Sequence, residues 1–327
     1  MHLIIFILSL MIFGSSENYK WKNFNSSNSP LPTNSIDFIL QDKKNNFWIG
    51  TYDQGLVFFD GKNWKIFNTK NSPLPHNSIR CIAVDSTNAV WIGTYGGGLA
   101  RLKNNKWKVY TTLNSPLPDD AVYSISVDSE NNLWIGTSFR GLVKFDQKNF
   151  VVYDKQNSRL PNNKVTSVLC DSKKNIWIGT PEKTAVIING KWFYTNELDS
   201  TFTDEGIYQI NEDAEGNILL AHKAGAFGIW NGRNYKSFNK ENSDIPFTGF
   251  YSVSSDKQGK IWLASFDRGV LMFDGKVWRS FNKTNSPLND DLIFFVYIDK
   301  WNNKWFCTFF NGLVLLNEKE IILRIKR

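Results

Sequence analysis

Few residues of this 327-residue chain have the types and spacing that catalysis needs. After residue 16 the sequence holds only two histidines, His76 and His222, and it contains no Gly-x-Ser-x-Gly phrase and no His/Cys cluster with metal-ligand spacing. Glu182 and His222 could form one acid–base pair, the minimum that proton transfer requires. We therefore predict no catalytic residue, no metal site and no cofactor, and keep elimination chemistry at that pair as an alternative.

A larger set of residues combines aromatic rings with both signs of charge, which suits a polar ligand with flat faces, such as a saccharide or a peptide. The set consists of Tyr52, Asp53, Tyr95, Phe139, Arg140, Glu182, Lys183, His222, Lys223, Phe266, Asp267, Arg268 and Phe310. Its members stand at or just after the end of a short apolar phrase, most often Trp-Ile-Gly-Thr. The elements that carry this phrase must therefore position the candidate ligand site.

The apolar phrase recurs seven times at a nearly constant interval. Its marker residues are Trp48, Trp91, Trp134, Trp177, Leu219 in a degraded copy, Trp262 and Trp305, with spacings of 43, 43, 43, 42, 43 and 43. An aspartate stands six residues before each marker, from Asp42 in the first copy to Asp299 in the last. Two residue types that keep one register over seven copies predict seven copies of one structural unit.

Each unit predicts four short strands. In the second unit, residues 78–84 alternate like a strand, 90–94 are apolar and β-prone, 99–102 resume after a glycine break, and 107–111 provide the fourth strand. No window shows sustained 3.6-residue periodicity, which excludes repeated helical pairs. The sequence therefore predicts an all-β fold, a seven-bladed β-propeller over residues 17–327 with four antiparallel strands in each blade.

The ring needs an outer strand for its last blade, and two segments compete for that place. Residues 19–25 carry Trp21 in the phrase that marks the other outer strands, and their connector begins with Asn-Ser-Pro-Leu-Pro at Asn28, like those of most other blades. Residues 321–325 follow the last predicted strand through a short polar turn and are the alternative. We predict closure by the N-terminal strand, because its connector matches those that place the other outer strands.

The first 16 residues predict a secretory signal peptide. Apolar stretches at residues 3–8 and 10–13 are followed by Gly14, Ser15 and Ser16, and the segment is too short to span a bilayer comfortably. No later segment reaches 18 consecutive apolar residues, so we expect no transmembrane span in the mature chain. The expected location is the periplasm, the cell surface or the medium.

The net charge bears on nucleic-acid binding, and the cysteine positions bear on disulfide bonding. The net charge of +7 is spread over single Lys and Arg residues with no run of five, so we expect no nucleic-acid partner, while anionic glycans and anionic membrane surfaces stay open. Cys81, Cys170 and Cys307 fall in predicted strands of different repeats. We therefore predict free buried thiols and no disulfide framework.

The repeated phrases resemble the two-component regulator propeller repeat. The resemblance is carried by forms such as Asp85–Leu102 and the Asn-Ser-Pro-Leu-Pro connector Asn71–Pro75, and it covers nearly all of the chain after residue 16. Members of that family commonly form the extracytoplasmic sensor region of hybrid two-component proteins, where paired propellers report on extracellular glycans. The resemblance implies a binding or sensing role here for a stand-alone single ring, with any signal passed on by a membrane sensor partner.

We expect the ligand site at one mouth of the central channel. Eleven of the thirteen tryptophans occupy template positions and are expected to pack blades together, and the repeated aspartates are expected to accept backbone N–H groups in turns. By strand alternation, the variable loops crowd one mouth of the channel. The polar residues of the most altered sector, with two flanking arginines, are expected to form one side of the site: Glu182, Lys183, His222 and Lys223, with Arg140 and Arg268.

These observations predict a non-catalytic, ligand-binding or sensor-type module for a glycan or another polar ligand such as a peptide, accessory to two-component signalling. A protein–protein interaction scaffold is the first alternative. A propeller lyase that uses Glu182 and His222 is the second, since a fold does not by itself determine function.

Overall fold

A computed structural model of the chain describes residues 20–203, 205–223, 227–247 and 249–317. These residues form seven separate four-stranded antiparallel sheets, which confirms the predicted seven-bladed β-propeller. In each sheet the strands neighbour one another in chain order, except in the last blade. The signal peptide predicted for residues 1–16 lies outside the described residues.

The strands of the first four blades follow one another along the chain. Blade 1 contains β2 (Ile36–Gln41), β3 (Phe47–Thr51), β4 (Leu56–Phe59) and β5 (Trp64–Phe67). Blade 2 contains β6 (Ile79–Val84), β7 (Val90–Thr94), β8 (Leu99–Lys103) and β9 (Lys106–Tyr110). Blade 3 contains β10 (Val122–Val127), β11 (Leu133–Thr137), β12 (Leu142–Phe145) and β13 (Phe150–Tyr153). Blade 4 contains β14 (Ser167–Cys170), β15 (Ile176–Gly179), β16 (Thr184–Ile188) and β17 (Lys191–Tyr194).

The remaining blades keep the same plan after a one-turn helix, α1 (Thr195–Leu198), in the rewritten connector. Blade 5 contains β18 (Ile207–Glu212), β19 (Ile218–His222), β20 (Phe227–Trp230) and β21 (Tyr235–Phe238). Blade 6 contains β22 (Phe250–Ser255), β23 (Ile261–Ser265), β24 (Val270–Phe273) and β25 (Trp278–Phe281). Blade 7 contains β26 (Ile293–Ile298), β27 (Lys304–Thr308), β28 (Leu313–Asn317) and β1 (Lys20–Phe24).

The first strand closes the ring. β1 pairs antiparallel with β28, in a register that runs from Lys20 opposite Asn317 to Phe24 opposite Leu313. The Phe24 ring stacks on that of Trp305, at 6.0 Å between centroids. Closure by the N-terminal strand is therefore confirmed, and the alternative strand at residues 321–325 lies outside the described residues.

Each blade packs against its neighbours through a buried apolar layer. Within the described residues, seven clusters of buried side chains each join two adjacent blades. In one of them Trp91 of blade 2 meets Phe145 of blade 3 edge to face, at 6.0 Å between centroids. Such aromatic pairs add to the free energy of apolar burial. The template tryptophans thus serve the packing role predicted for them.

The repeated aspartate organises the turn between the first and second strands of a blade. Oδ1 of Asp42 accepts the backbone N–H groups of Lys44 and Asn46, at 2.8 and 2.9 Å. Oδ2 of Asp42 also accepts the indole N–H of Trp48, at 3.1 Å. The turn hydrogen bonds were predicted from the sequence, whereas the bond to the marker tryptophan was not.

The glycine of the Trp-Ile-Gly-Thr phrase leaves room for the next blade. A Cβ atom placed on Gly93 would lie 2.6 Å from Cγ1 of Val122, the first residue of the next inner strand. Such a contact is too short for any side chain, so the close approach of two blades explains the glycine.

The three cysteines are free thiols in three different blades. Burial raises the pKa of Cys170 to about 12 and raises that of Cys81 and Cys307 further, so that all three stay protonated at neutral pH. Among the described residues, no helix is long and apolar enough to cross a bilayer.

Candidate ligand site at the mouth of the central channel

The innermost strands carry a bulge close to the start of the strand. In six blades the pairing with the second strand shifts by one residue there, for example between Ile36 and Phe38 in β2. A bulge leaves one residue unpaired and re-aims its side chain. The residues at this position, with their equivalent in blade 4, are Asp37, Arg80, Tyr123, Thr166, Tyr208, Tyr251 and Phe294.

These seven side chains meet in one cavity at the mouth of the central channel. Its volume is about 460 Å³, and all seven bulge-position residues line it. Sites for small molecules usually measure about 300–1,000 Å³. The cavity is therefore large enough for a small ligand, and every blade contributes to its wall.

One side of the cavity is aromatic. The rings of Tyr208, Tyr251 and Phe294, named here the aromatic arc, stand 5.3 Å apart between successive centroids. The loop residue Phe266 meets Tyr251 edge to face at 3.9 Å, and Phe309 meets Phe294 at 5.3 Å. Blades 5, 6 and 7 thus present a continuous wall of π faces and edges.

The opposite side is charged. Nη1 of Arg80 lies 3.2 Å from Oδ2 of Asp37, and the guanidinium of Arg80 sits 4.8 Å from the ring centroid of Tyr95. Nζ of Lys164 lies 5.7 Å from the ring centroid of Tyr123. We call Asp37, Arg80 and Lys164 the charged arc, which is contributed by blades 1, 2 and 4.

Asp37 is the most perturbed acid of the cavity. Its side chain is only 7% exposed, and Oδ1 has no hydrogen-bond partner. Burial raises the pKa of Asp37 to about 6, although the Arg80 cation opposes the shift, and the nearby Asp53 adds to it. The carboxyl therefore changes its charge close to neutral pH.

Four of the sequence-predicted residues adjoin this cavity. Tyr52 and Tyr95 both lie against the Arg80 guanidinium, Phe266 packs on the aromatic arc, and Phe310 packs on Phe309 at 4.7 Å. Asp53 acts on Asp37 through its charge. The other rim residues are exposed and lie outside the cavity wall: Phe139, Arg140, Asp267 and Arg268.

The altered sector differs from the expected site. Glu182 is exposed and accepts a hydrogen bond from Nδ2 of Asn162 at 2.6 Å, Nζ of Lys183 lies 5.8 Å from the ring centroid of Tyr194, and Lys223 is exposed. None of these three residues lines the cavity. The structure therefore does not join them to the wall formed by the bulge positions.

His222 requires a correction, because it is buried inside blade 5 and does not face the mouth. Its side chain is 1% exposed, Nε2 lies 2.6 Å from the Tyr235 hydroxyl, and Nδ1 lies 3.8 Å from Oε2 of Glu205. Burial lowers the pKa of His222 to about 4, so the ring is neutral at physiological pH. His222 takes the place of the template threonine, whose hydroxyl bonds within the blade, as Thr94 does with the carbonyl of Gly98.

The bulge positions were not predicted, although the sequence contains a signal for them. Each of these residues stands eleven residues before the marker of its copy, as Asp37 does before Trp48. The repeat register is kept there, while five different residue types occupy the position in the seven copies. The same criterion that selected the loops would have selected these positions, had the bulge been foreseen.

The described residues contain no group of three or more His, Cys, Asp or Glu side chains that could hold a metal ion. The cavity wall instead offers aromatic faces, hydroxyl groups, two cations and one carboxyl. Fold and wall together define a β-propeller with a polar and aromatic pocket at its channel mouth.

Four of the repeats match a known family profile. The family profile described as two component regulator propeller matches residues 30–53, 73–96, 116–139 and 159–182. These four segments carry the connector, the inner strand and the Trp-Ile-Gly-Thr phrase of four successive blades. Four of the seven repeats thus match the two-component regulator propeller profile, in agreement with the resemblance seen in the sequence.

Solved structures share the fold at low sequence identity. The extracellular domain assigned to the hybrid two-component system BT3049 of B. thetaiotaomicron is 19% identical, with a TM-score of 0.74 over 92% of this chain and 42% of that one. The extracellular domain assigned to the one-component system BT4673 of the same organism is 19% identical, with a TM-score of 0.73 over 90% of this chain and 40% of that one. This chain thus spans about two fifths of those domains.

A third similar structure is an enzyme. Virginiamycin B lyase from Staphylococcus aureus is 14% identical, with a TM-score of 0.73 over 91% of this chain and 99% of the lyase. At such identities these likenesses establish the fold and leave function open. No curated protein sequence matches this chain.

Proposed function

We propose that this chain is a non-catalytic, extracytoplasmic binding module of the sensor type, which takes a glycan or a similar polar ligand at the mouth of its central channel. The observation that carries the proposal is the set of seven bulge positions. They share one place in the template, they all line one cavity, and they comprise five residue types in seven blades. Residues that only packed the ring would be expected to repeat, as the marker tryptophans do.

The chemistry of the wall supports a saccharide. A sugar ring has one apolar face and a rim of hydroxyl groups, so it needs both flat aromatic partners and hydrogen-bonding groups. The aromatic arc offers the first, through Tyr208, Tyr251 and Phe294. The charged arc and the hydroxyl group of Tyr123 offer the hydrogen-bonding groups.

The positions of the histidines favour binding over catalysis. A variant of the lyase in which one histidine is replaced by alanine is described as catalytically inactive, so that enzyme depends on a histidine. In this chain neither histidine lines the cavity, since His222 is buried in blade 5 and Nδ1 of His76 accepts the backbone N–H of Ser78 at 3.0 Å. Neither residue is placed to exchange a proton with a ligand in the channel mouth.

The similar extracellular domains support the remaining parts of the proposal. Two-component regulator repeats and the likeness to extracellular domains of signalling proteins fit a module outside the cytoplasm. The partner that would carry a signal onward is proposed to be a membrane sensor, because the similar structures are extracellular domains of signalling systems.

The test begins with a glycan array, followed by calorimetric titration of each glycan that binds. We expect Tyr251→Ala to weaken binding about fivefold or more, because stacking at such a site is worth about 1–3 kcal/mol per ring. The matched control is Phe139→Ala, which removes a 71% exposed ring outside the cavity and should leave the affinity unchanged.

The altered sector provides the competing site. If Glu182→Ala, Lys183→Ala and Lys223→Ala together abolish binding in a folded protein while Tyr251→Ala does not, the ligand lies on that sector and the cavity assignment is wrong. If no glycan binds and a pull-down instead recovers a protein partner, the interaction scaffold replaces the binding module.

A further inference from the structure

The two sides of the cavity have opposite character, which restricts the ligand that fits them. The side chains of the wall that carry charge at neutral pH are Asp37, Arg80 and Lys164. Two cations and one carboxylate leave one positive charge in excess. Because the aromatic arc faces this charge across the channel, the cavity is complementary to a ligand with a flat uncharged part and one anionic group.

Several polar groups of the charged arc have unused bonding capacity. Nε of Arg80 and Oδ1 of Asp37 are buried and have no hydrogen-bond partner. Among the described residues, no carboxylate lies within ion-pair distance of Lys164. The groups of the charged arc that a ligand can reach are the half-buried Lys164 and the Arg80 guanidinium, whose side chain is 32% exposed.

The two cations line the same cavity and lie on two neighbouring aromatic rings. Arg80 lies on the ring of Tyr95 and Lys164 lies on the ring of Tyr123. These two rings stack on each other, with centroids 6.2 Å apart and an angle of 18° between their planes. The guanidinium of Arg80 and the ammonium of Lys164 therefore lie on two adjacent, stacked rings at the same mouth.

From this arrangement we infer that the cavity binds an anionic saccharide, whose carboxylate or sulfate lies at the charged arc, against Arg80 or Lys164, while a sugar ring stacks on the aromatic arc. The inference rests on the proposed function and specifies the class of its ligand. Charge-assisted hydrogen bonds from Arg80 and Lys164 supply the selectivity for the anion.

Asp37 makes this binding depend on pH. The charged groups that act on its carboxyl are the Arg80 cation and the Asp53 carboxylate, and the neighbouring Cys307 thiol stays neutral. When Asp37 takes up a proton, it no longer neutralises Arg80, and the excess charge of the wall rises from one to two. Affinity for the anionic ligand therefore increases as the pH falls through the titration of Asp37.

The experiment compares matched probes on the intact protein. Trigalacturonate and a sulfated chondroitin tetrasaccharide are titrated against neutral maltotriose and cellotriose, at about pH 5 and about pH 8. We expect the anionic probes to bind at least about tenfold more tightly than the neutral ones, with a larger ratio at the lower pH. If the neutral sugars bind as tightly, the inference is overturned while the proposed function stands.

Two variants test the assigned residues. Lys164→Gln should weaken the anionic probes about tenfold and leave the neutral ones unchanged, whereas the control Lys70→Gln, an exposed lysine on a connector of the same face, should change neither. Asp37→Asn should bind the anionic probes at about pH 8 as tightly as the wild type does at about pH 5. Unchanged affinity in a folded Lys164→Gln protein contradicts the anion site.

Two further outcomes are distinct from these. If a hexaglutamate peptide binds more tightly than either anionic sugar, the ligand is an acidic peptide and the saccharide assignment is wrong. If no sugar binds at either pH, the proposed function itself fails, and the inference fails with it.

Discussion

The indole Nε1 of Trp48 donates a hydrogen bond to Oδ2 of Asp42, at a distance of 3.1 Å. The same bond joins the aspartate and the marker tryptophan in the five other blades that have both residues. It explains why the two residue types keep a separation of six in the sequence. The aspartate holds the turn with one oxygen and anchors the blade's central aromatic side chain with the other.

The first prediction concerns this bond. Asp42 and Asp213 accept equivalent hydrogen bonds in their turns, but only Asp42 also accepts an indole N–H, because blade 5 has Leu219 at the marker position. Asp42→Ala should therefore lower the free energy of unfolding by about 1–3 kcal/mol more than Asp213→Ala, since it leaves a buried donor unpaired. Urea unfolding measures the difference, and equal losses would show that the indole bond contributes nothing.

The second prediction concerns pH and stability. The pKa of Asp37 is raised from its ordinary value of 3.8 to about 6 in the folded protein, so the stability that it contributes is fully present below about pH 4 and is lost as the pH rises through about 6. Asp37→Asn removes this dependence. Between about pH 5 and pH 8 the variant should gain about 1 kcal/mol of unfolding free energy relative to the wild type.

The control for that measurement is Asp53→Asn, which changes an exposed carboxylate near the same site. Asp53→Asn should change the pH dependence of the free energy of unfolding far less than Asp37→Asn does. Parallel stability curves for the wild type and Asp37→Asn across this range would show that Asp37 titrates normally.

The third prediction concerns ring closure. Deletion of residues 17–26 removes β1, which supplies the outer strand of blade 7, so the melting temperature of the whole ring should fall steeply. A milder test is Phe24→Ala, which removes a buried ring that packs on Trp305 and should cost about 3–5 kcal/mol. Differential scanning calorimetry measures both, with deletion of residues 318–327 as the control that should leave the ring intact. If the control deletion is the damaging one, the C-terminal segment closes the ring.

The fourth prediction concerns a buried ion pair between blades 6 and 7. Nζ of Lys304 lies 3.1 Å from Oδ2 of Asp256, with both side chains fully buried. The other six blades carry an apolar residue at this position, such as Ile261 in blade 6. Lys304→Ile should change the free energy of unfolding by less than about 1 kcal/mol, because Asp256 keeps the indole bond from Trp262 and its turn hydrogen bonds.

Lys304→Ala is the matched comparison for that pair. It removes the same charge but leaves a cavity, so it should cost about 2 kcal/mol or more. Equal and large losses in both variants, measured by urea unfolding, would show that the ion pair itself holds the two blades together.

The repeat made most of the fold predictable from sequence. Asp42 and Trp48 recur with their copies at a period of about 43 residues, and a period is a property of the chain that needs no coordinates. The count of blades, the four strands in each and the packing role of the tryptophans followed from that register. Closure by residues 20–24 followed as well, because Trp21 and its connector belong to the same register.

The candidate site was only partly predictable. Tyr52, Tyr95 and Phe266 were predicted to lie at one mouth, and they lie beside residues of the cavity wall, because antiparallel strands place alternate loops at the same end. His222 was misplaced, since its sequence neighbours do not reveal that its side chain points between strands to Tyr235. Whether the His222 side chain is buried depends on the residues that the other strands of blade 5 place around it.

The sequence alone therefore determined the architecture, because each repeat has similar strand and turn residues in the same order. The tertiary structure decided the site. A bulge changes the side of a strand that a residue faces. Six of these inner strands contain a bulge, although none of those strands contains a glycine or a proline that would predict it. Asp37 and Arg80 stand 43 residues apart in the sequence and form an ion pair only because the fold places the inner strands of blades 1 and 2 side by side.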